Sequence, residues 1–438
     1  MSTVFVHVGQ AGCQLGQALW PALAAERLGS PDIFGFRAAK GAAYSPRAVL
    51  VDSEPKVVES LLSGAGVCGY AFDPASTATA QSGRGGNFAL GYNGGFGDLG
   101  AGVGSSDQRQ LGARAMECTR RQIEGCHGSH LGTILAHSLG GGTGSGLGSR
   151  LVEELRDAYP RSPLLVASVL PISTGENPMQ CYNALLALSA LQELADGVLL
   201  YENDWLLSCA EGRSGAAAQS GSSSSSATVD SGDGYWNRGA SLSSMNAIVA
   251  RDLVPVLCPA ASVQPFEPGE LLSSVFPMAT HKFAQAFSGE VLGQHGPPEM
   301  KPVLDSLTKA APRCLRNSAN VLSAHAVLRG VPQQVGSGAA FQADLLERLG
   351  GPVLWQPFAA DIRCSPTPLR SAPSAARLSV VVNWKRTSQV LRAVHERARQ
   401  KYASRMFAHW YDCYNFGPDA FAQAFEVIDD VIGNYEAS

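Results

Sequence analysis

Seven consecutive small residues, Gly140-Gly-Gly-Thr-Gly-Ser-Gly146, separate an apolar run from an amphipathic one. Five glycines, one threonine and one serine cannot build a regular element, because glycine weakens helices and strands alike. The segment is therefore a loop, and its flanks say which kind. His130-Leu-Gly-Thr-Ile-Leu-Ala136 reads as a strand. After the loop, Leu147, Leu151, Val152 and Leu155 form one helical face, while Arg150, Glu153, Glu154 and Asp157 form the other. A strand, a glycine loop and a helix starting near Gly146 make an anion site of backbone N–H groups at the positive end of a helix. Thr143 and Ser145 add hydroxyls. A glycine turn without a ligand is the plain alternative, and the strand-to-helix context favours the anion site. Two known phosphate loops do not fit. No lysine in the chain follows a glycine, which excludes the Walker type. No frame gives G-x-G-x-x-G, because its last position falls on Ser145, Leu147, Ser149 or Leu151.

The first half repeats this alternation. Val4 to Val8, Ala48 to Val51, Leu164 to Leu170 and Val198 to Tyr201 are further strand candidates, with helical stretches such as Asn183 to Leu194 between them. That order predicts an α/β fold with a parallel sheet whose ligand lies at the carboxyl ends of the strands. At 438 residues the chain is long enough for two or three domains. Glu211 to Gly239, with Ala216 to Ala218 and the run Ser222 to Ser226, reads as a disordered insertion. Ser388 to Tyr435 reads as helical, and its stripe of Phe421, Phe425, Ile428 and Ile432 as core packing.

Composition narrows the function classes. Hydrophobic residues make up 45% and the net charge is −4, with no dense Lys/Arg run, so nothing suggests a nucleic-acid partner. No uninterrupted apolar stretch reaches the length of a membrane span, and the first residues lack the basic start of a secretory signal. Ten cysteines with no Cys-x-x-Cys pair are expected to be reduced and buried. Cys126, His127, His130 and His137 lie close together, but without a second cysteine pair they make a poor zinc set.

The glycine loop resembles the signature loop of the tubulin superfamily, and other stretches agree in the same order. Gly9-Gln-Ala-Gly-Cys-Gln-Leu-Gly16 is similar to the first nucleotide loop, Val51 to Pro55 to the second, and Gln81 to Asn87 to the third. Tyr182-Asn183, then Glu202-Asn203-Asp204, resemble the fifth loop and the sugar and base contacts beyond it, and Phe407 to Tyr411 resembles the C-terminal helical region. The resemblance implies a Rossmann-like GTPase domain over 1–205, a second α+β domain over 206–375 and a C-terminal helical hairpin over 376–438. It implies GTP or GDP with Mg²⁺ as cofactors. Gln10, Ala11, Gln14 and Asn87, and the loop residues Ser138, Gly140, Gly141, Gly142, Thr143 and Gly144, are then nucleotide contacts. Glu176 falls at the ribose, and Asn203 and Asn246 at the guanine edge. Glu54, with Asp52 beside it, matches the carboxylate acting through Mg²⁺. Glu270 falls where alpha-type chains hold the carboxylate that completes hydrolysis on a neighbouring subunit, with Glu267 on another acidic position. For Glu270 a helix-start acid stabilised by the dipole stands as an equal reading.

Four departures qualify the resemblance. Leu242 replaces the aromatic that stacks on guanine, Gln180 replaces a carboxylate, the amide expected near Pro265 is missing, and no long acidic tail follows Val431. The order Glu202-Asn203-Asp204 and the stretch Ser241 to Ile248 look like the delta type. That type implies cytoplasmic and cytoskeletal placement at centrioles and basal bodies, a part in triplet microtubules and cilium biogenesis, and other tubulins and centriolar proteins as partners. The alternatives are an epsilon or zeta type, a pseudo-GTPase scaffold, and a metabolic enzyme with a phosphate-bearing cofactor, which the glycine spacing disfavours.

Overall fold

The computed structural model describes residues 2–27, 30, 32–36, 44–64, 69–81, 83–97, 110–126, 129–175, 177–219, 242–259, 266–292, 300–312, 320–332, 339–353 and 360–438. The five expected strands are all present: β1 (Ser2–Val8), β4 (Ala48–Asp52), β6 (His130–Ser138), β7 (Leu164–Leu170) and β8 (Gly197–Glu202). They are apolar almost without interruption because a parallel sheet is buried on both faces. Their side chains split by alternation. Val6, Val8, Leu135 and Val166 enter one core, and Phe5, Ile134, Leu165 and Ala167 enter the other. The short strands β2 (Phe34–Phe36), β3 (Tyr44–Pro46) and β5 (Thr77–Thr79) complete the first half. The second half adds β9 (Phe283–Leu292), β10 (Val321–Arg329), β11 (Ala360–Ser365) and β12 (Ala375–Trp384).

Among the described residues, ten strands form one sheet in the order β11-β10-β12-β9-β8-β7-β6-β1-β4-β5. From β8 to β5 all neighbours are parallel. β12 runs antiparallel to both β9 and β10. The two halves join through β8 and β9 with only two paired positions, Val198 with Phe283 and Leu199 with Ala284. The chain first builds outward from β1 through β4 to β5, then returns to lay β6, β7 and β8 on the other side of β1. The strand order therefore reverses between β1 and β6, the place where an open α/β sheet forms a ligand crevice.

Among the described helices, α1 (Gly9–Arg27), α2 (Pro55–Gly64), α3 (Phe88–Gly94), α4 (Leu111–Glu124), α5 (Gly148–Ala158), α6 (Gln180–Leu194) and α7 (Asn203–Gln219) belong to the first half. They are followed by α8 (Leu242–Leu257), α9 (Pro268–Val275), α10 (Met300–Ala310), α11 (Ala339–Arg348), α12 (Thr387–Ala403), α13 (His409–Asp412) and α14 (Pro418–Ala437). Leu147, Leu151, Val152 and Leu155 are buried as their spacing requires. The stretch read as an insertion starts inside α7, which runs to Gln219; residues 220–241 lie outside the described residues. The C-terminal segment is three helices rather than a simple pair. Phe421, Ile428 and Ile432 are buried, with Phe425 packed against the same core. This core also takes Leu151 of α5 and Leu185 of α6, so α12 and α14 cover the same sheet face as those two helices.

Candidate functional site

Two chain segments meet where the strand order reverses. Gly9, with φ of 73°, turns the chain from β1 into α1, and a Cβ there would lie 3.1 Å from the Gly144 nitrogen. The glycine loop follows β6, and its helix begins earlier than the sequence suggests. Ser145 N–H donates to Gly141 O at 3.2 Å, and Thr143–Leu147 forms a π-type turn continuous with α5. The N–H groups of Gly142, Thr143 and Gly144 precede that first bond, as the terminal donors of a helix start.

The glycines serve packing more than access. A Cβ at Gly142 would lie 2.7 Å from Arg84 O and Asn87 N, at Gly144 2.5 Å from Ser138 O, and at Gly146 2.1 Å from Phe88 O. Only Gly141 of the loop faces open space, with nothing within 4 Å. The loop is thus wedged between β6 and α3, with one edge free.

Two buried histidines lie beneath these turns, in places the sequence does not reveal. His137, one residue before the end of β6, is fully buried, with Nδ1 2.7 Å from Gly144 O and Nε2 2.8 Å from Ser168 Oγ. A carbonyl only accepts, so Nδ1 carries the proton and Ser168 donates to Nε2. His7 repeats the device under α1, with Nδ1 3.1 Å from Gly12 O while Trp20 Nε1–H donates to Nε2 at 3.0 Å. Each ring requires a glycine beside it. A Cβ at Gly148 would lie 2.5 Å from His137 Nδ1, and one at Gly16 3.1 Å from His7 Cε1. Burial holds both imidazoles neutral, pushing each down to about 4.

A folded-state value below the ordinary 6.5 means the unfolded chain binds the proton more readily. Stability contributed by each ring is therefore full above pH 6.5 and lost as pH falls toward 4, by about 3 kcal/mol each. His137→Asn keeps a donor near the Nδ1 position and cannot titrate. Whatever its stability at pH 7, it is expected to lose about 3 kcal/mol less than wild type between pH 7 and pH 4, as read by urea denaturation across that range.

The second loop supplies the carboxylates. Asp52 ends β4 and is buried; its Oδ1 accepts from Glu54 N–H at 3.3 Å, and its Oδ2 has no partner among the described residues. Burial is the largest cause raising its carboxyl to about 6; the Glu54 N–H hydrogen bond opposes the rise and the Glu54 charge adds to it. Ser53 shares a hydrogen bond of 2.6 Å with the Thr143 hydroxyl, tying the second loop to the glycine loop. Glu54 is exposed, and a Cβ at Gly83 of the third loop would lie 2.6 Å from its Oε1. A buried orphan carboxylate oxygen with an exposed acid two residues on suits a hard dication that completes its shell with phosphate and water oxygens. Among the described residues no group of three or more His, Cys, Asp or Glu side chains forms a metal cage, and His127 lies outside them.

Other predicted residues take different places. Asn87 caps α3 by accepting from Leu90 N–H at 3.3 Å and donates to Trp410 O at 3.1 Å, so its side chain is committed within the protein. Gln10 and Gln14 project from α1, while Ala11 lies in its first turn. Asn203 starts α7 directly after β8, and Asn246 lies one turn into α8, with Leu242 at the start of that helix 44% exposed. Asp204 accepts from Ser173 N–H and Oγ–H, joining α7 to the loop after β7. Gln180 donates to Ile172 O at 2.7 Å. Glu176 lies outside the described residues.

Glu270 stands apart from all of these. It is exposed in the first turn of α9 and pairs with Arg363 at 3.1 Å. The start of α9 packs at the amino ends of the strands. Thr3 Oγ1 donates to Phe266 O at 3.2 Å, and a Cβ at Gly132 would lie 3.1 Å from Pro268 Cγ. The glycine loop is at the other end of β6, roughly 20 Å along the strand from Gly132 to Ser138. Glu270 cannot serve the loop of its own chain.

Residues 2–211 match the model of the Tubulin/FtsZ family, GTPase domain. The chain is 33% identical over 218 residues to the tubulin beta chain of Trichophyton rubrum, covering 46% of this chain and 45% of that one. It is 31% identical over 219 residues to the tubulin beta-1 chain of Hypocrea rufa, covering 47% and 46%. It is 32% identical over 218 residues to the tubulin beta chain of Pyropia yezoensis, covering 46% and 44%. Each alignment spans less than half the length of the relative. Among the described residues no helix is long and apolar enough to cross a membrane.

Proposed function

We propose, from the match of residues 2–211 to a Tubulin/FtsZ-type GTPase domain, that this chain is a GTP-binding cytoskeletal subunit. The observation that carries the reading is the meeting of four loops at one crevice. The loop after β1, the loop after β4, the turn before α3 and the glycine loop touch one another there. The terminal N–H groups of Gly142, Thr143 and Gly144 would hold the phosphates without a lysine. Asp52 and Glu54 would hold Mg²⁺, which supplies charge neutralisation at the phosphate oxygens when bound. Gln10 and Gln14 line the approach from α1, and Asn203 and Asn246 would read the guanine edge, each amide offering both donor and acceptor. Leu242 offers that edge an apolar contact without an aromatic face.

The finer reading is a delta-type tubulin that assembles with other tubulins at centrioles and basal bodies. It rests on the order Glu202-Asn203-Asp204 and on Leu242 four residues before Asn246. Glu270, at the opposite end from the phosphate loop, would act on the nucleotide of the next subunit in a head-to-tail array.

Titration of the purified chain with GTP, GDP and ATP in the presence of Mg²⁺ tests the reading. Micromolar or tighter binding restricted to guanine nucleotides is expected. Absence of guanine binding with a folded protein would leave the scaffold reading in its place.

A further inference from the structure

The matched GTPase domain ends at residue 211, yet its phosphate loops are held by a side chain 200 positions further on. Asn183, in α6, is fully buried and uses every hydrogen-bonding position it has. Its Nδ2 donates to Gly86 O at 2.7 Å and to Gly140 O at 2.8 Å, one carbonyl from the third loop and one from the glycine loop. Its Oδ1 accepts from Phe88 N–H at 2.9 Å and from the Tyr411 hydroxyl at 2.6 Å. In a trans peptide the N–H points opposite to the preceding C=O. Holding the Gly140 carbonyl inward therefore turns the Gly141 N–H to the open edge of the loop.

The segment that delivers Tyr411 is unusual. Arg405, Phe407 and Asn415 have φ of 52°, 59° and 63°, and they are the only non-glycine residues with positive φ among those described. Left-handed backbone is unfavourable for residues with a Cβ, so this segment keeps its shape only because its contacts fix it. Those contacts come from the third loop and from α3 and α6 beside it. Tyr182 Oη donates to Met406 O at 2.9 Å, Asn87 Nδ2 to Trp410 O at 3.1 Å, and Asn93 Nδ2 to Tyr414 O at 2.7 Å. Met406 and Trp410 meanwhile stand 47% and 48% exposed.

We propose that Tyr411 is a positioning residue of the phosphate site, holding Asn183 so that the third loop and the glycine loop keep their binding geometry, and that residues 405–415 are thereby coupled to occupancy of that site. The proposal rests on the reading of those loops as the phosphate site. Its corollary is that the first 211 residues alone lack a completed site. By reciprocity, whatever ordering the segment lends to the loops, the bound nucleotide returns to the segment.

Tyr411→Phe tests this, because the ring keeps its edge contacts with Tyr182 and Phe421 and only the hydroxyl is lost. GTP affinity is expected to fall about five- to tenfold, the effect of one buried hydrogen bond. Hydrogen exchange supplies the second readout. In wild type, GTP is expected to slow exchange in 405–415 as well as in 83–91 and 139–147, and in Tyr411→Phe the response of 405–415 is lost. Tyr435→Phe is the control. It removes a buried C-terminal hydroxyl bonded to Phe283 O and Asn383 Oδ1, and should lower stability without changing GTP affinity. If wild type binds no nucleotide, the proposed function fails. The positioning role is then read in the nucleotide-free proteins, where Tyr411→Phe should speed exchange at 86–90 and 140–144. Wild-type affinity together with unchanged exchange in those stretches would overturn the proposal.

Discussion

Gly144→Ala is expected to weaken guanine-nucleotide binding by at least about a hundredfold, the loss of two or more charge-assisted backbone hydrogen bonds. The new Cβ would lie 2.5 Å from Ser138 O and 3.1 Å from Ser138 N, both backbone atoms of the strand that carries the loop. Neither can move without breaking the β6 ladder, so the loop must move instead. That shift also breaks the hydrogen bond from His137 to the Gly144 carbonyl. Gly141→Ala is the matched comparison: nothing in the protein lies within 4 Å of its Cβ, so the loop keeps its shape, and its affinity should fall less than that of Gly144→Ala, through contact with the nucleotide at the open edge alone. Thr143→Ala should fall between them, because its hydroxyl is tied to Ser53 while its N–H remains available. Calorimetric titration with GTP and Mg²⁺ ranks the three. Wild-type affinity in both Gly144→Ala and Gly141→Ala would remove the glycine loop from the site.

The contrast between those two glycines shows where sequence reasoning stops. A run of small residues between a strand and an amphipathic helix is legible as a close-approach loop, and parallel strands buried on both faces are legible as apolar runs. The groups that approach the glycines are not. Gly142, Gly144 and Gly146 are needed because Arg84, Ser138 and Phe88 press against them, and Arg84 and Phe88 arrive from the third loop and α3. β2, β3 and β5 are three residues each, too short to show a period. The supports of the site are harder still. Asn87 meets Trp410 across 323 residues, and Tyr411 meets Asn183 across 228. Asn87 was legible as a polar residue in a glycine-rich turn, but its use as a helix cap and tether appears only when the chain is folded. The histidines carried a faint signal, each with a glycine later in the chain that sits beside its ring: Gly16 for His7 and Gly148 for His137. The sequence sets His137 only beside Cys126, His127 and His130; its partners Gly144 and Ser168, and the partners Gly12 and Trp20 of His7, appear only in the fold.

Glu270→Ala is expected to leave nucleotide affinity of the isolated chain unchanged and to cut assembly-dependent GTP turnover by about a hundredfold, the contribution of a positioned carboxylate. The separation of the two effects is the point. Roughly 20 Å of strand, Gly132 to Ser138, lies between α9 and the glycine loop, so the carboxylate has no access to its own nucleotide. A neighbour stacked head-to-tail would bring its loop to that carboxylate. In the free chain Glu270 is not idle: Arg363 holds it at 3.1 Å, and Arg363 also lies 3.8 Å from Asp361. Both partners are partly exposed, so the pair is weak and a docking surface can displace it. Arg363→Gln should therefore preserve turnover in the assembled state, since only the resting partner of Glu270 is removed. Comparing turnover at protein concentrations below and above the onset of assembly, in wild type and both variants, reads the difference. Concentration-independent turnover would assign hydrolysis to residues within one chain, and turnover that survives Glu270→Ala would remove Glu270 from the reaction.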